Sequence, residues 1–266
     1  MYESHWGLAE KPFENTPNPR FLYASPEHEE GLTRLLYGVR ERKGAVMLTG
    51  VFGCGKTLLG YTLFRELEKD IYNTAFIINP RMDELDLLRY VAHELGGHEM
   101  PTKKADVLVL LKEILMNNFR DGKESVILID EAHTIENPMV FEEIRLLLNF
   151  QMADRFLVTI ILLGQPELVE LIKSNKQLSQ RISIRYHLEA FKPEETKDYV
   201  AHRLAVAGRT EPIFDPEALS LLHLRSGGIP RRINQIADMA LFVGFSLEKK
   251  TIDREIIEEA IKGLEA

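Results

Sequence analysis

The segment Gly50-Val51-Phe52-Gly53-Cys54-Gly55-Lys56-Thr57 matches the pattern G-x-x-x-x-G-K-[ST], which is typical of a phosphate-binding loop. Glycines let such a loop wrap closely around an anion, and its backbone N–H groups point at the phosphates. We predict that Lys56 reaches the β- and γ-phosphates of ATP and that the Thr57 hydroxyl group is a ligand of Mg²⁺. The predicted nucleotide-binding residues of this segment are Gly50, Gly53, Cys54, Gly55, Lys56, Thr57 and Leu58.

A second part of the site is predicted where the apolar run Val126–Ile129 ends in two acidic residues. Such a strand delivers its last residues to the carboxyl edge of an open sheet, where ligands bind in α/β folds. We predict that Asp130 holds Mg²⁺ and that Glu131 orients and deprotonates the attacking water. His133 is predicted either to contact the nucleotide or a neighbouring subunit, or to fill a plain surface or core position.

Apolar strands alternate with helical segments through the middle of the chain. Strands are predicted at residues 45–49, 74–79, 125–130, 156–163 and 184–189, with helices between them. Continuous apolar strands of this kind indicate a parallel sheet with both faces covered. We therefore predict an α/β fold, namely a P-loop NTPase with a parallel five-stranded sheet covered by helices on both faces.

The two ends of the chain have different patterns. The first 25 residues are rich in proline and aromatic residues and predict an extended arm, followed by a helix to about Arg42. After Lys192 the sequence predicts helices alone, at 194–207, 216–226, 230–245 and 254–264. The predicted domains are residues 1–43 (arm and leading helix packed on the core), 44–190 (P-loop α/β domain) and 191–266 (helical domain).

Bulk composition limits the class of protein. The chain has 266 residues, a net charge of −8, one cysteine and no apolar run near the roughly 20 residues of a membrane span. These features predict a soluble cytoplasmic protein that does not insert into a membrane, and they disfavour nucleic acid binding without excluding it. The lone Cys54 is predicted to be a small, tolerated side chain; the alternative is a thiol of lowered pKa whose oxidation blocks ATP.

The chain as a whole resembles an AAA+ ATPase and, more narrowly, the ExeA-type ATPases, which are general secretion pathway protein A-like and pilus-biogenesis ATPases. The resemblance covers nearly the whole chain, and its N-terminal stretches are among the more specific ones. The matching stretches are Trp6-Gly7-Leu8, Pro12-Phe13, Thr16-Pro17, Arg20–Tyr23, His28, Gly164–Leu168, Gln180–Ile182 and Gly228–Asn234.

The resemblance implies roles for several polar residues. It implies that Gln165 is sensor 1, which contacts the γ-phosphate, and that Arg231 is sensor 2 of a C-terminal helical AAA+ lid. It implies that Arg181 is an arginine finger for a neighbouring subunit, with Arg185 as a second candidate; the alternative for Arg181 and Arg231 is a surface ion pair. The catalytic residues predicted in total are Glu131, Lys56, Arg181 and Gln165, and the N-terminal arm is expected beside the adenine.

The resemblance also implies a function. It implies an enzyme that hydrolyses ATP at subunit interfaces of a homo-oligomer, a ring or filament formed with ATP (six subunits being one option), and powers a secretion or pilus machine. The expected partner is an inner-membrane secretion or pilus protein, which would place the chain peripherally at that membrane. Two alternatives are a DNA-associated regulator of the transposition or replication-initiator type and a nucleotide-dependent binding switch. Full secretion-type members continue into a membrane span and a periplasmic region, so either a short member or a fragment is expected.

Overall fold

A computed structural model describes residues 1–98 and 101–265 of the protein. Within these residues one five-stranded sheet forms from β1 (Ala45–Gly50), β2 (Tyr72–Ile77), β3 (Glu124–Ile129), β4 (Val158–Gly164) and β5 (Ile182–Leu188). Its order is β2-β3-β4-β1-β5, and all neighbouring strands are parallel. Every residue of the inner strands β1 and β4 is buried, as expected for a parallel sheet. The predicted five-stranded parallel sheet is confirmed.

The contacts along the chain divide it into two compact units. One unit contains the whole sheet and spans residues 29–52, 59–98 and 101–188. Its core joins sheet residues such as Ile127 and Ile160 to buried leucines of the helices, including Leu87 and Leu111. Its helices are most of α2 (Pro26–Arg40), the main part of α3 (Lys56–Glu66), α4 (Glu84–Glu94), α5 (Lys104–Arg120), α6 (Pro138–Leu147), α7 (Glu167–Ser174) and α8 (Lys176–Arg181).

The other unit combines the N-terminal arm with the C-terminal helices and with the Gly53–Leu58 segment of the loop. The arm contains α1 (Glu3–Trp6) and a 3₁₀ turn at Pro19–Phe21. The C-terminal helices are α9 (Pro193–Val206), α10 (Pro216–Ser226), α11 (Pro230–Ser246) and α12 (Arg254–Glu265). Asp215 and Asp253 cap α10 and α12 by accepting the backbone N–H groups of Ala218 and Ile256, at 2.7 and 3.0 Å.

The position of the arm differs from the expected one. The sequence predicted that residues 1–43 pack together on the α/β domain, whereas Met1–His28 cluster with the C-terminal helices. The physical reason is aromatic burial: the rings of Trp6 and Phe13 are buried in one hydrophobic cluster with Leu241 of α11. The Trp6 indole N–H donates to the Leu241 carbonyl at 2.9 Å, which satisfies its polar atom in that core.

Several element boundaries also differ from the sequence prediction. The helix α8 was not predicted, because its six residues have no apolar period; Asn175 initiates it by accepting the N–H of Leu178 at 3.0 Å. The strand β5 begins earlier than predicted, at Ile182, so Arg181 ends a helix. The strand β2 spans Tyr72–Ile77 and thus begins and ends two residues earlier than the predicted 74–79.

The helices are short on the scale of a lipid bilayer. The helices α5 and α11 have 17 residues each, whereas a membrane-spanning helix needs about 20 apolar residues. Among residues 1–98 and 101–265, we find no helix long and apolar enough to span a membrane.

Candidate functional site

Three neighbouring strands end at the same edge of the sheet and place three predicted site residues there. The strand β4 lies between β3 and β1, with Ile129 beside Leu162 and Thr49 beside Gly164. Because the strands are parallel, the residues that follow them emerge together at the carboxyl edge. The structure therefore brings Gly50, Asp130 and Gln165 to one edge of the sheet.

The turn after β1 depends on two glycines. Gly53 and Gly55 have backbone φ angles of +83° and +106°, which side chains other than glycine rarely adopt. A Cβ atom on Gly53 would lie 2.7 Å from the Cβ of Arg231, and one on Gly55 would lie 2.9 Å from Nε2 of His28. Both positions therefore favour glycine for conformational and for steric reasons. Gly55 is a fixed glycine of the loop pattern, whereas Gly53 stands at one of its variable positions.

The first turn of α3 contains Lys56, Thr57 and Leu58. Lys56 is 4% exposed, and its Nζ lies 3.9 Å from the sulfur of Cys54. The positive end of a helix and a buried ammonium group together form a good environment for an anion. The thiol of Cys54 is buried, and this burial raises its pKa. The burial and the raised pKa both favour a small, tolerated side chain over a reactive thiol.

His28, at the start of α2, holds the backbone of the phosphate loop. Its Nε2 atom lies 3.0 Å from the Cys54 carbonyl oxygen, and its Nδ1 atom lies 2.7 Å from the hydroxyl group of Ser25. A neutral imidazole satisfies both contacts when Nε2–H donates to the carbonyl and Nδ1 accepts from Ser25. Burial lowers the pKa of His28, which favours this neutral form. The loop is thus tied to the residues that cap α2.

This role of His28 was not found from the sequence, where the residue was only part of a family resemblance. Ser25 directly precedes the helix and is a favourable N-cap residue, and its hydroxyl oxygen accepts the backbone N–H of His28 at 3.3 Å. The histidine in the third helical position was therefore a local signal. Its contact with the Cys54 carbonyl, 26 residues further along the chain, could be found only from the folded structure.

We expect a His28→Ala substitution to lower the free energy of unfolding by about 1–3 kcal/mol at pH 7.5, because the buried Cys54 carbonyl loses its donor. The folded-state pKa of His28 lies below its unfolded value, so its contribution is fully present above about pH 6.5 and declines at lower pH. Urea unfolding of both proteins at pH 7.5 and 5.5 should therefore show a smaller difference at pH 5.5.

The matched control for this measurement is His5→Ala, since His5 is exposed and bonds to a backbone carbonyl at 2.7 Å. A surface substitution of this kind should change the free energy of unfolding by less than about 0.5 kcal/mol. An equal cost of His28→Ala at both pH values would contradict a neutral His28 in the folded protein.

Arg231 lies in the first turn of α11, next to Gly53 of the phosphate loop. Its backbone N–H donates to the Gly53 carbonyl at 3.2 Å. The preceding turn is fixed by Gly228, whose φ is +72° and whose carbonyl accepts the N–H of Phe191 at 2.9 Å. A Cβ on Gly228 would lie 2.1 Å from the Phe191 carbonyl oxygen, so no other residue fits there. The structure thus places the predicted lid arginine directly against the loop.

The acidic pair after β3 has a strained and well-held backbone. Asp130 is 1% exposed, and its Oδ1 accepts the N–H of Glu131 at 2.9 Å. Glu131 has a φ of +51°, a left-handed conformation that costs about 1–3 kcal/mol outside glycine. The Glu131 carbonyl accepts both the N–H and the hydroxyl of Thr134, each at 2.8 Å. Three groups of the chain, the Asp130 carboxylate and the N–H and hydroxyl of Thr134, thus hold the backbone of Glu131 in place.

His133 lies between Glu131 and Gln165. Its Nε2 is 3.5 Å from the Glu131 carboxylate and 2.9 Å from the side-chain amide of Gln165. The backbone N–H of Gln165 donates to Nδ1 of His133 at 3.3 Å. The His133 side chain is 12% exposed and that of Glu131 is 34% exposed, so the imidazole is mostly buried and the carboxylate is more accessible to solvent. The structure thus places His133 against two predicted site residues of its own chain, a contact that neither alternative of the sequence analysis described.

The two candidate finger arginines lie on the surface of the unit that contains the sheet. Arg181 is the last residue of α8, and its Nη2 donates to the Asn149 side chain at 2.6 Å. Arg185 lies in β5, and its Nη2 contacts both the carbonyl and the hydroxyl oxygen of Ser179 at 2.8 Å. The partner of each arginine is thus a neutral oxygen.

The candidate metal ligands are hard oxygen donors. Thr57 supplies a hydroxyl group and Asp130 a carboxylate, both of a type that Mg²⁺ accepts. Over the described residues there is no group of three or more His, Cys, Asp or Glu side chains that could hold a metal ion. A Mg²⁺ ion that is bound by one or two protein oxygens and by substrate phosphates needs no such group.

Comparisons with known proteins agree with this geometry. The family described as AAA domain matches residues 39–172, about half of the chain. The General secretion pathway protein A of Aeromonas hydrophila is 42% identical over 252 residues, which are 92% of this chain and 45% of that protein. The chain therefore spans less than half of the length of this curated relative.

Solved structures share the fold at low sequence identity. The ORC2 protein of Aeropyrum pernix in its ADPNP–ADP complexes has a TM-score of 0.70 at 17% identity, over 95% of this chain and 71% of that one. The RuvB Holliday junction branch migration motor of Thermotoga maritima has a TM-score of 0.60 at 20% identity, over 89% and 69%. At these identities the likeness concerns the fold alone.

Proposed function

The chain belongs to the AAA domain family, and from this premise we propose that it binds ATP and hydrolyses it at interfaces between its subunits. The observation that supports this best is the shared sheet edge, where Gly50 at the end of β1, the acidic pair after β3 and Gln165 after β4 lie on three adjacent strand ends. A phosphate cradle, a pair of carboxylates and a polar side chain on three adjacent strand ends suit phosphoryl transfer to water.

The proposed reaction assigns one role to each residue of the loop and the acidic pair. The loop N–H groups and the Lys56 ammonium group bind the β- and γ-phosphates. Glu131 accepts a proton from the attacking water as its oxygen bonds to the γ-phosphorus. The bond from that phosphorus to the β,γ-bridging oxygen breaks, and ADP leaves with the electron pair while inorganic phosphate is released. Thr57 and Asp130 hold Mg²⁺, which neutralises phosphate charge when bound.

The remaining polar residues are proposed to respond to the γ-phosphate. Gln165 contacts it as sensor 1 from the end of β4, and Arg231 contacts it from the first turn of α11. Arg181 contacts the γ-phosphate that is bound by an adjacent subunit, where it stabilises charge in the transition state. The Arg231 proposal is supported by the bond from its backbone N–H to the Gly53 carbonyl of the phosphate loop.

We further propose that the ATPase powers the assembly or regulation of a secretion or pilus machine. The 42% identity to a protein named for the general secretion pathway supports this, and the proposed partner is an inner-membrane protein of that machine. A DNA-associated role has less support, because the likeness to ORC and RuvB structures concerns the fold alone. A pure binding switch is disfavoured by Glu131, which sits at the sheet edge as a base for turnover.

A Lys56→Ala substitution tests the proposed site. We expect a loss of at least about 30-fold in ATP affinity, corresponding to 2 kcal/mol or more, because a buried charge that pairs with phosphate is removed. The measurement is titration with a fluorescent ATP analogue, together with steady-state phosphate release. The matched control is Lys69→Ala, an exposed lysine shortly after α3, which should keep wild-type affinity. Wild-type affinity in Lys56→Ala would rule out this ATP site.

A further inference from the structure

His133 contacts both the proposed base and the proposed sensor of the site. It follows Asp130 and Glu131 in a 3₁₀ turn at Ala132–Thr134, and its ring faces both Glu131 and Gln165. The two contact partners come from the ends of the neighbouring strands β3 and β4. A movement of either side chain therefore changes a contact of the same imidazole that the other side chain also contacts.

The hydrogen bonds of His133 determine where its proton lies. Nδ1 accepts the backbone N–H of Gln165, so a neutral ring has its proton on Nε2. Nε2–H then faces the Glu131 carboxylate at 3.5 Å and the Gln165 side-chain amide at 2.9 Å. The amide atom at 2.9 Å is Nε2 of Gln165, and two N–H donors cannot bond to each other. With the proton on Nε2 of His133, the Gln165 amide therefore takes the flipped orientation, in which its oxygen occupies this place. Two acceptors, one from the base and one from the sensor, thus compete for the same proton.

The ring itself is held firmly in place. The side chain is 12% exposed, and Gly164 packs so closely that a Cβ on it would lie 3.3 Å from the His133 backbone nitrogen. The backbone of Glu131 is fixed by Asp130 and Thr134. The groups left free to rearrange are therefore the side chains of Glu131 and Gln165, and the imidazole is a fixed point between them.

We propose that His133 is a positioning residue that couples Gln165 to Glu131. This inference rests on the proposed ATPase function. When the Gln165 amide rotates to bind a γ-phosphate oxygen, it no longer accepts a hydrogen bond from Nε2–H of His133. The Glu131 carboxylate is then the remaining acceptor for this N–H group. The bond holds one carboxylate oxygen in place and leaves the other to accept the proton of the attacking water. The base is thus set in position when the sensor engages the γ-phosphate.

The test begins with His133→Ala and His133→Gln, compared with the wild type in steady-state hydrolysis and in ATP titration. We expect kcat to fall up to about 100-fold in the alanine variant, because the base is misplaced, while the dissociation constant for ATP stays unchanged. The glutamine variant keeps an N–H donor near the position of Nε2 and should recover most of kcat. His93→Ala, at an exposed position on α4, is the matched control.

A double-mutant cycle with Gln165→Ala separates coupling from independent effects. If Gln165 acts through His133, Gln165→Ala slows the His133→Ala protein less than it slows the wild type. Retained ATP binding shows that each variant is folded. Unchanged kcat in His133→Ala, failure of the glutamine rescue, or fully multiplicative effects would overturn the inference while leaving the ATPase proposal intact. A wild-type protein that does not turn over ATP would overturn both.

Discussion

A Glu131→Gln variant is expected to bind ATP as tightly as the wild type and to hydrolyse it about 10²–10⁴-fold more slowly, the usual contribution of a general base. The substitution preserves the shape of the side chain but removes the group that takes the proton of the attacking water. The substitution should leave the backbone of this residue in place, because the hydrogen bonds that hold it are made by Asp130 and Thr134 and do not involve the Glu131 side chain. Phosphate release and ATP titration on the same preparation measure both quantities.

The control for this prediction is Glu136→Gln, an exposed glutamate five residues further along the chain. It changes the net charge by the same amount and should retain wild-type turnover. Turnover in Glu131→Gln that equals the wild-type rate would show that another group takes the proton. Loss of ATP binding in this variant would instead assign Glu131 to the binding step.

The sheet and the loop could be predicted because their signals are local. Buried parallel strands are continuous apolar runs, and Val126–Ile129 is one that ends in the two acids of the site. The phosphate-loop pattern fixes glycine at positions 50 and 55, and Gly55 has a positive φ angle, as does Gly53 at a variable position of the pattern. Since the carboxyl ends of parallel strands share an edge, the sequence alone predicts that Gly50 and the two acids lie at one edge of the sheet.

The features that the sequence did not predict depend on contacts between distant residues. Trp6 is buried against α11, but nothing near it in sequence distinguishes burial there from burial on the α/β domain. His28 bonds to Cys54, and His133 to Gln165, across 26 and 32 residues. The helix α8 was missed because a short polar helix depends on its cap, here Asn175, rather than on an apolar period.

An Arg181→Ala variant is expected to lose about 10³–10⁵-fold in kcat, the usual contribution of an arginine finger, with ATP binding retained. The structure favours Arg181 over Arg185 for this role. A single bond to the Asn149 side chain holds Arg181 at the end of α8, whereas Arg185 makes two bonds to Ser179 and is more firmly bound within its own chain. Arg185→Ala should therefore have the smaller effect on kcat.

The matched control for Arg181 is Arg120→Ala, because Arg120 is an exposed arginine at the end of a helix that also donates to an asparagine side chain, at 3.4 Å. It should retain wild-type turnover. Specific activity of the wild type should rise with protein concentration. The reason is that a site that needs an arginine from a neighbouring subunit is complete only after the subunits associate. A flat specific activity across a dilution series would contradict a shared site.

Mixing two inactive variants tests the contribution of the neighbour directly. Arg181→Ala keeps the proposed base, and Glu131→Gln keeps the proposed finger. When an Arg181→Ala subunit binds the nucleotide beside a Glu131→Gln subunit, the shared site has both groups intact. Random assembly of equal amounts gives such an arrangement at about a quarter of head-to-tail interfaces, so turnover should return to a sizeable fraction of the wild-type rate. If the mixture associates and stays inactive, Arg181 acts within its own subunit or has no part in catalysis.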